Sequence, residues 1–245
     1  MTFKIELNNH NILKQAFESI TKIVDEIALE FDTEGMHLRA LDRSHITFIT
    51  LELDKTFFDE YQCDKPERLL LDASDFLKAL KKCKTNDILQ FDIDDSSLTL
   101  IMKGDATRKF KIQFIDFEYD SPVPPTIDVP CNISIPSNLL ETYIKDMSDF
   151  NEKLTFLVDQ DYFKIIADGQ TGSGEIEYLH GENINEVIKS HFSIPKLLEI
   201  MKASKFSEET KLGIGDDMPL ILRMDLVTGD GHLEYLLAPR LEESD

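Results

Sequence analysis

The sequence predicts an α+β chain of two tandem repeated domains, each with two helices packed on antiparallel sheets. Three observations predict it: four segments with the period of an amphipathic helix, alternating or continuous apolar runs between them, and an order of these elements that occurs twice in 245 residues. At ordinary domain sizes that length gives one large unit or two of about 120 residues, and the repeat selects two.

The first helical segment runs from residue 10 to 23. Ile12, Leu13, Ala16, Phe17, Ile20 and Ile23 form one stripe, and Lys14, Glu18 and Lys22 fall on the other face. The second, 73 to 84, gathers Phe76, Leu77, Leu80 and Cys83 opposite Lys78, Lys81 and Lys82, with Asp72 and Asp75 forming an N-terminal cap. The third starts at Ser137, expected as the cap after Pro136, and runs to 149 with Leu139, Leu140, Tyr143, Ile144 and Met147 inward. The fourth, 194 to 205, buries Leu197, Leu198 and Met201 and exposes Lys196, Lys202 and Lys205.

Between the helices lie strand-type runs such as ITFITLEL, KFKIQFI and LTFLVDQDYFKIIAD, punctuated by turns at Thr33-Glu34-Gly35, at 94 to 97, at Asp159-Gln160-Asp161 and at Gly229-Asp230-Gly231. The duplication is visible in FLKALKK before IDDSSLTL, matched by KLLEIMKASK before GDDMPLIL. Residues 116–130 hold four of the nine prolines, which cannot sit in a central strand. They are expected to form a connector strapped over the surface between a domain of residues 1–115 and one of 131–245.

With 42% hydrophobic residues, no apolar run near the ~20 residues that span a bilayer and no secretory signal in MTFKIELNN, a soluble intracellular protein is expected. Cys63, Cys83 and Cys131 lack CxxC spacing and are expected to be buried thiols. The formal charge of −21 argues, as a sum, against nucleic acid, because phosphate binding depends on cationic surface and counterion release. The distribution says otherwise. The helical segments carry ten lysines, Lys14, Lys22, Lys78, Lys81, Lys82, Lys84, Lys145, Lys196, Lys202 and Lys205, against six acids; that is a net +4, with −25 on the rest. Such segregation suits a ring whose helices line a hole and whose sheets form the outer wall, and lysines suit loose phosphate contact without sequence reading. It also suits an ordinary solvated helix face, the plainer reading on charge alone.

GMHLRALDRSHITFITLEL, residues 35–53, resembles the amino-terminal signature of the proliferating cell nuclear antigen family of DNA sliding clamps, and GHLEYLLAPRLEESD resembles that family's closing strand and acidic tail. The connector, the duplicated order and the NILKQAFESI opening agree, so the resemblance spans the chain. It implies a processivity factor that assembles into a closed homotrimeric ring around double-stranded DNA without sequence specificity, with the ten lysines facing DNA. It implies no catalytic residue, cofactor or metal. The joining strands would lie near residues 109–114 and 173–179, where Lys109 and Lys111 complement Glu175 and Glu177, while Lys82 and Lys84 could instead pair with Asp146 or Asp149 of the next copy. Partners, namely DNA polymerase, clamp loader, flap endonuclease and DNA ligase, would insert short peptides into a groove. That groove would be formed by Leu41, His45, Ile46 and Phe48, by Val123 and Pro124, by Pro219, and by Leu236, Ala238 and Pro239. The connector looks archaeal, and Leu236 stands where the family often has an aromatic. An archaeal source would place the protein in the cytoplasm and a eukaryotic one in the nucleus. A second reading is a protein-only scaffold or checkpoint-type clamp subunit in a hetero-oligomer.

Other chemistry is weaker. Asp42, Ser44 and His45 contain the residue types of a nucleophilic triad, but strand alternation turns Ser44 and His45 apart. The acidic run from Asp92 has Ser97 where a calcium loop needs glycine and Lys103 where it needs glutamate. GQTGSG is followed by strand-type EIEYL where a phosphate loop needs a helix. The six histidines show no metal spacing.

Overall fold

The computed structural model describes residues 3–182, 184 and 186–241. Four helices form where the apolar period is helical: α1 (Asn11–Ile23), α2 (Ala73–Leu80), α3 (Ser137–Met147) and α4 (Ile194–Ile200). Leu13, Ala16, Phe17 and Ile20 of α1 are fully buried, as the stripe requires. Asp72 caps α2 by accepting from the Asp75 amide at 2.8 Å. Two expectations are corrected. Ser137 is no cap: its hydroxyl shares a buried 2.8 Å hydrogen bond with Thr210 Oγ1, and the position before the helix is Pro136. The second and fourth helices also end early, at Leu80 and Ile200, because their last amides tighten to carbonyls three residues back and the chain continues as turns, Met201–Ala203 being a 3-10 turn. Lys81, Lys82, Lys202 and Lys205 therefore project from turns rather than from helix faces, and Lys84 from the loop that follows α2.

The strands are β1 (Phe3–Leu7), β2 (Glu26–Phe31), β3 (Gly35–Leu41), β4 (Thr47–Asp54), β5 (Glu60–Cys63), β6 (Glu67–Asp72), β7 (Ile88–Asp94), β8 (Ser97–Lys103) and β9 (Thr107–Gln113) in the first half. The second half has β10 (Cys131–Pro136), β11 (Lys153–Val158), β12 (Tyr162–Asp168), β13 (Ser173–Leu179), β14 (Ile188–Ser193), β15 (Glu209–Ile214), β16 (Leu220–Asp225) and β17 (Gly231–Leu237). They make a sheet β5-β1-β7-β8-β9, a sheet β10-β15-β16-β17-β4-β3-β2-β6 and a sheet β13-β12-β11-β14, with antiparallel pairing. The order exposes the repeat. β1-β7-β8-β9 corresponds to β10-β15-β16-β17, and β4-β3-β2-β6 corresponds to β13-β12-β11-β14. β17 pairs with β4 along seven residues, Gly231 opposite Leu53 through Leu237 opposite Thr47, and fuses the halves into the eight-stranded sheet.

One face of that sheet carries the helices. Ala40, Ile49, Tyr235 and Leu222 lie opposite one another on four adjacent strands and are between 0% and 7% exposed. α2 packs on α1, α1 on α4 and its following 3-10 turn, and α4 on α3, so the helices form one continuous layer across the join. The connector crosses the opposite face. Tyr119 donates to the Arg39 carbonyl at 3.0 Å, Arg68 stacks 5.2 Å over the Tyr119 ring, and Val129 lies over Gly213, where any side chain would collide with it. All three cysteines are free and buried, and burial pushes the Cys83 and Cys131 thiols up to about 11. Phe76 of α2 meets Phe17 edge to face at 4.7 Å and Phe91 at 6.3 Å, tying helix layer to sheet. Phe76→Ala is expected to cost about 3–5 kcal/mol by leaving a cavity among these rings, read as a lower midpoint in chemical denaturation.

Candidate nucleic-acid interface and partner groove

The lysines of the helix layer divide by what they touch. Lys14 donates to the Cys83 carbonyl at 2.6 Å, Lys78 reaches Asp75 at 2.8 Å, Lys81 reaches Glu18 at 3.1 Å, and Lys145 pairs with Glu141. Lys196 sits between Glu199 at 3.1 Å and Asp42 at 3.9 Å, half-buried, as a brace from α4 to the β3–β4 loop and not as a free cation. Lys22, Lys82, Lys84, Lys202 and Lys205 are exposed and have no ion pair among the described residues. These five ammonium groups can meet an anionic partner without first giving up a carboxylate or, as Lys14 would, a main-chain carbonyl.

The loop from Asp42 to Ile46 is built by one side chain. Asp42 is 3% exposed, and its carboxylate accepts from the amides of Ile46 at 2.7 Å and Thr47 at 2.8 Å and from the Ser44 hydroxyl. Burial pushes the Asp42 carboxyl up, but Ser44, the two amides and Lys196 outweigh it and hold it below the usual carboxylate range. His45 takes the left-handed conformation, φ 58°, and stands exposed at the tip. The Ser44 hydroxyl thus donates to Asp42 and fixes the loop. Among the described residues no three metal-ligating side chains converge.

Around this loop the expected groove residues fall into two sets. Leu41, Phe48 and Leu236 stand directly opposite one another on β3, β4 and β17, and Ile221 on β16 extends the row, all on the face away from the helices. Leu41 and Ile46 are 39% and 38% exposed, whereas Phe48 and Leu236 are 6% and 7% exposed and form the floor. Ala238 donates its amide to the Ile46 carbonyl at 2.9 Å, bringing half-buried Ala238 and Pro239 beside the loop. Pro219 is half-buried at the start of β16. On the connector Pro124 is half-buried and Val123 is 83% exposed. A cleft of about 770 Å³ opens between connector and loop, lined by Leu41 and His45 and also by Phe117, Tyr119 and Pro122. Sequence reasoning missed Ile221 and the connector aromatics. The period-2 alternation of LILRMDL would have found the first, and alternation of aromatic and acidic residues in DFEYD the others.

The remaining expected residues lie on two open sheet edges. β9 presents exposed Lys109 and Lys111, the latter bound to Asp94 at 2.9 Å. β13 presents Glu175 and Glu177, both reached by Lys164, at 3.6 and 2.6 Å.

Asp42→Ala is expected to destabilise the chain by about 2–3 kcal/mol, since buried amides lose a charged acceptor. Because the folded carboxyl is held below its unfolded value of about 3.9, this stabilisation is full above that pH and fades as pH falls through the folded value. The gap between parent and variant denaturation midpoints should therefore be constant near neutrality and shrink below about pH 4.

The fold and the two surfaces can be set against known proteins. The model of the proliferating cell nuclear antigen N-terminal domain matches residues 2–122, and that of its C-terminal domain matches residues 124–240. The DNA polymerase sliding clamp of Methanobrevibacter smithii is 48% identical over 243 residues, covering 99% of this chain and 100% of that protein. The one from Methanothermobacter thermautotrophicus is 45% identical over the same span. A crystal structure of proliferating cell nuclear antigen from Thermococcus kodakaraensis superposes with a TM-score of 0.91 at 22% identity, covering 98% of this chain and 100% of that one, a likeness of fold. With both domain models matched end to end, the chain belongs to the proliferating cell nuclear antigen family.

Proposed function

We propose that the chain is the subunit of a DNA polymerase sliding clamp, a ring that encircles duplex DNA, holds it topologically and catalyses nothing itself. The observation that carries this is the repeat of an edge. β17 and β4 pair within the chain, and their repeats β9 and β13 each keep one open edge, at the ends of the other two sheets. An edge and its complement on one molecule generate a head-to-tail assembly that closes when the rotation permits, and a closed ring leaves neither edge exposed. Three copies, six repeats, form the ring, with the helix layer turned to the hole.

Internal symmetry also supplies a register. Asp72 and Ser193 both precede a second helix; carrying paired positions outward from them sets Lys109 at the place of Glu234 and Glu175 at that of Thr50, which are opposite one another within the chain. Between copies, Lys109 therefore faces Glu175 directly, with Lys111 and Glu177 on the diagonals. The same matching aligns the α1 and α3 stripes, Leu13 with Leu140 and Phe17 with Ile144, and so Ser19 with Asp146. Within the chain Ser19 donates to the Glu199 carbonyl at 3.0 Å; the equivalent contact between copies brings Asp146 beside Lys78 and Lys82. This favours the seam for Lys82 and leaves Lys22, Lys84, Lys202 and Lys205 as the main DNA-facing cations.

The groove serves polymerase-derived peptides, and by extension clamp loader, flap endonuclease and ligase, through apolar anchors laid on the Leu41–Phe48–Leu236 row. The archaeal relatives favour the cytoplasm, and their names favour this reading over a hetero-oligomeric checkpoint subunit.

Analytical ultracentrifugation at micromolar concentration should show a trimer. Lys109→Glu should shift it toward monomer, and pairing it with Glu175→Lys should restore the trimer; a K109E/E175K protein that stays monomeric would refute the register. Once loaded, the ring should persist on closed circular DNA and leave linear DNA from its ends, and equal retention on both would exclude encirclement.

A further inference from the structure

Resting on the clamp reading above, we propose that the hole grips duplex DNA at one end only, the end remote from the partner groove. There Lys81 and Lys202 form one belt of lysines and Lys84 and Lys205 a second. The helix layer is cationic as a sum, and the internal repeat separates the levels where that charge adds from those where it cancels.

β2 and β11, which follow the first helix of each half, start and end in step with the α1 and α3 stripes, Leu13 with Leu140 and Phe17 with Ile144. Lys14 therefore matches Glu141, Glu18 matches Lys145 and Lys22 matches Asp149, and the sign inverts at all three. The second helices are framed without insertion by Asp72 and Ser193 before them and by the first residues of β7 and β15, Ile88 and Glu209, after them. Asp75 then matches Lys196 and Lys78 matches Glu199, again inverted, whereas Lys81 matches Lys202 and Lys84 matches Lys205. Around six repeats an inverted position alternates in sign, and its field cancels toward the axis of the hole. A lysine kept in both halves recurs on every repeat and adds.

Both kept positions lie toward one end of the layer. α1 spans about 20 Å. Its last residue, Ile23, lines the cleft beside the Asp42–Ile46 loop, while Asn9 and Ile12 at its other end line a cleft with Lys205, Val227 and Asp230. The second helices start at the groove end, where the Ala73 amide donates to the Asp25 carbonyl at 2.8 Å and Lys196 lies 3.9 Å from Asp42, and they run away from it. At the far end His10 Nε2 donates to the Lys84 carbonyl at 2.9 Å, at the head of α1. Lys84, Lys202 and Lys205 are exposed and unpaired among the described residues, while Lys81 reaches Glu18 at 3.1 Å. Glu208 and Asp230 line the Lys205 cleft without forming an ion pair with it, and Asp87, beside Lys84, is bound by Arg108. The groove end has the opposite character: Lys22 alternates with exposed Asp149, and exposed Glu26 lines the cleft there. Phosphates thus meet the same lysines whichever repeat they face, so the duplex turns and slides without losing contact. The face that partners use is left clear of tight contact with DNA.

The test uses the assembled full chain and a fluorescent linear duplex, open at both ends for threading, with anisotropy read across a salt series and sedimentation confirming an unchanged trimer. K84Q/K205Q should bind roughly tenfold more weakly than the parent at low salt and with a shallower salt dependence, because phosphate contacts set that slope. K55Q/K65Q removes the same charge from exposed sites outside the helix layer and should stay within about twofold of the parent. A photo-reactive probe on Lys84→Cys should cross-link the duplex more than the same probe on Lys22→Cys. Equal losses in the two double variants would overturn the belt, and cross-linking as strong from position 22 as from 84 would overturn the one-ended grip while keeping DNA in the hole. If the parent binds no duplex and neither position cross-links, the clamp reading itself fails, and this inference with it.

Discussion

The pairing of β17 with β4 is the constraint on which the rest of the structure depends. Seven paired residues join a strand near the end of the chain to one near its start, and they turn two half-sheets into one of eight strands. Beneath the join lie Ile49 and Tyr235, with no exposure, and α1 rests against α4 over it. The join is held by main-chain hydrogen bonds on a buried apolar floor, which makes it a rigid angle between the halves. A rigid angle repeated at each seam closes a ring of defined size, whereas a flexible one would give open chains.

The same pairing creates the proposed partner surface. It sets Leu41, Phe48, Leu236 and Ile221 in one row on the outward face, although Leu41 and Leu236 lie far apart in the chain. Asp42 then folds the loop beside that row, and Lys196 braces the loop from the second half. In the proposed clamp, assembly and recruitment thus share a structural cause: a change that loosens the join is felt in the groove as well as in the curvature of the ring.

Charge follows the layers. The helical segments carry ten of the twenty lysines at a net +4 and the rest of the chain carries most of the acids, so in the proposed ring the inner and outer surfaces present opposite signs to solvent. The strands of the proposed seam divide the two signs between them, Lys109 on one edge and Glu175 on the other, which disfavours pairing of an edge with its own copy. Lys164 screens Glu175 and Glu177 in the single chain, so the proposed seam would exchange one cation for another and leave no bare carboxylates.

The sequence by itself determined the elements and the duplication, because helical and strand periods are local properties: the α1 stripe, the Asp72 cap and the turns at 94–97 and 159–161 are where residue spacing puts them. It also carried the family, through the 35–53 segment and the closing strand. The tertiary structure decided everything that depends on distance across the chain. Ser137 has cap chemistry but is claimed by Thr210, Lys196 looks like a free surface lysine but meets Asp42, and helix ends that a periodic pattern extends to 84 and 205 give way where tighter turns satisfy the backbone sooner. Which edges stay open, and which residues face one another across them, follows from sheet order, and sheet order is set by long-range hydrogen bonding that no local pattern encodes.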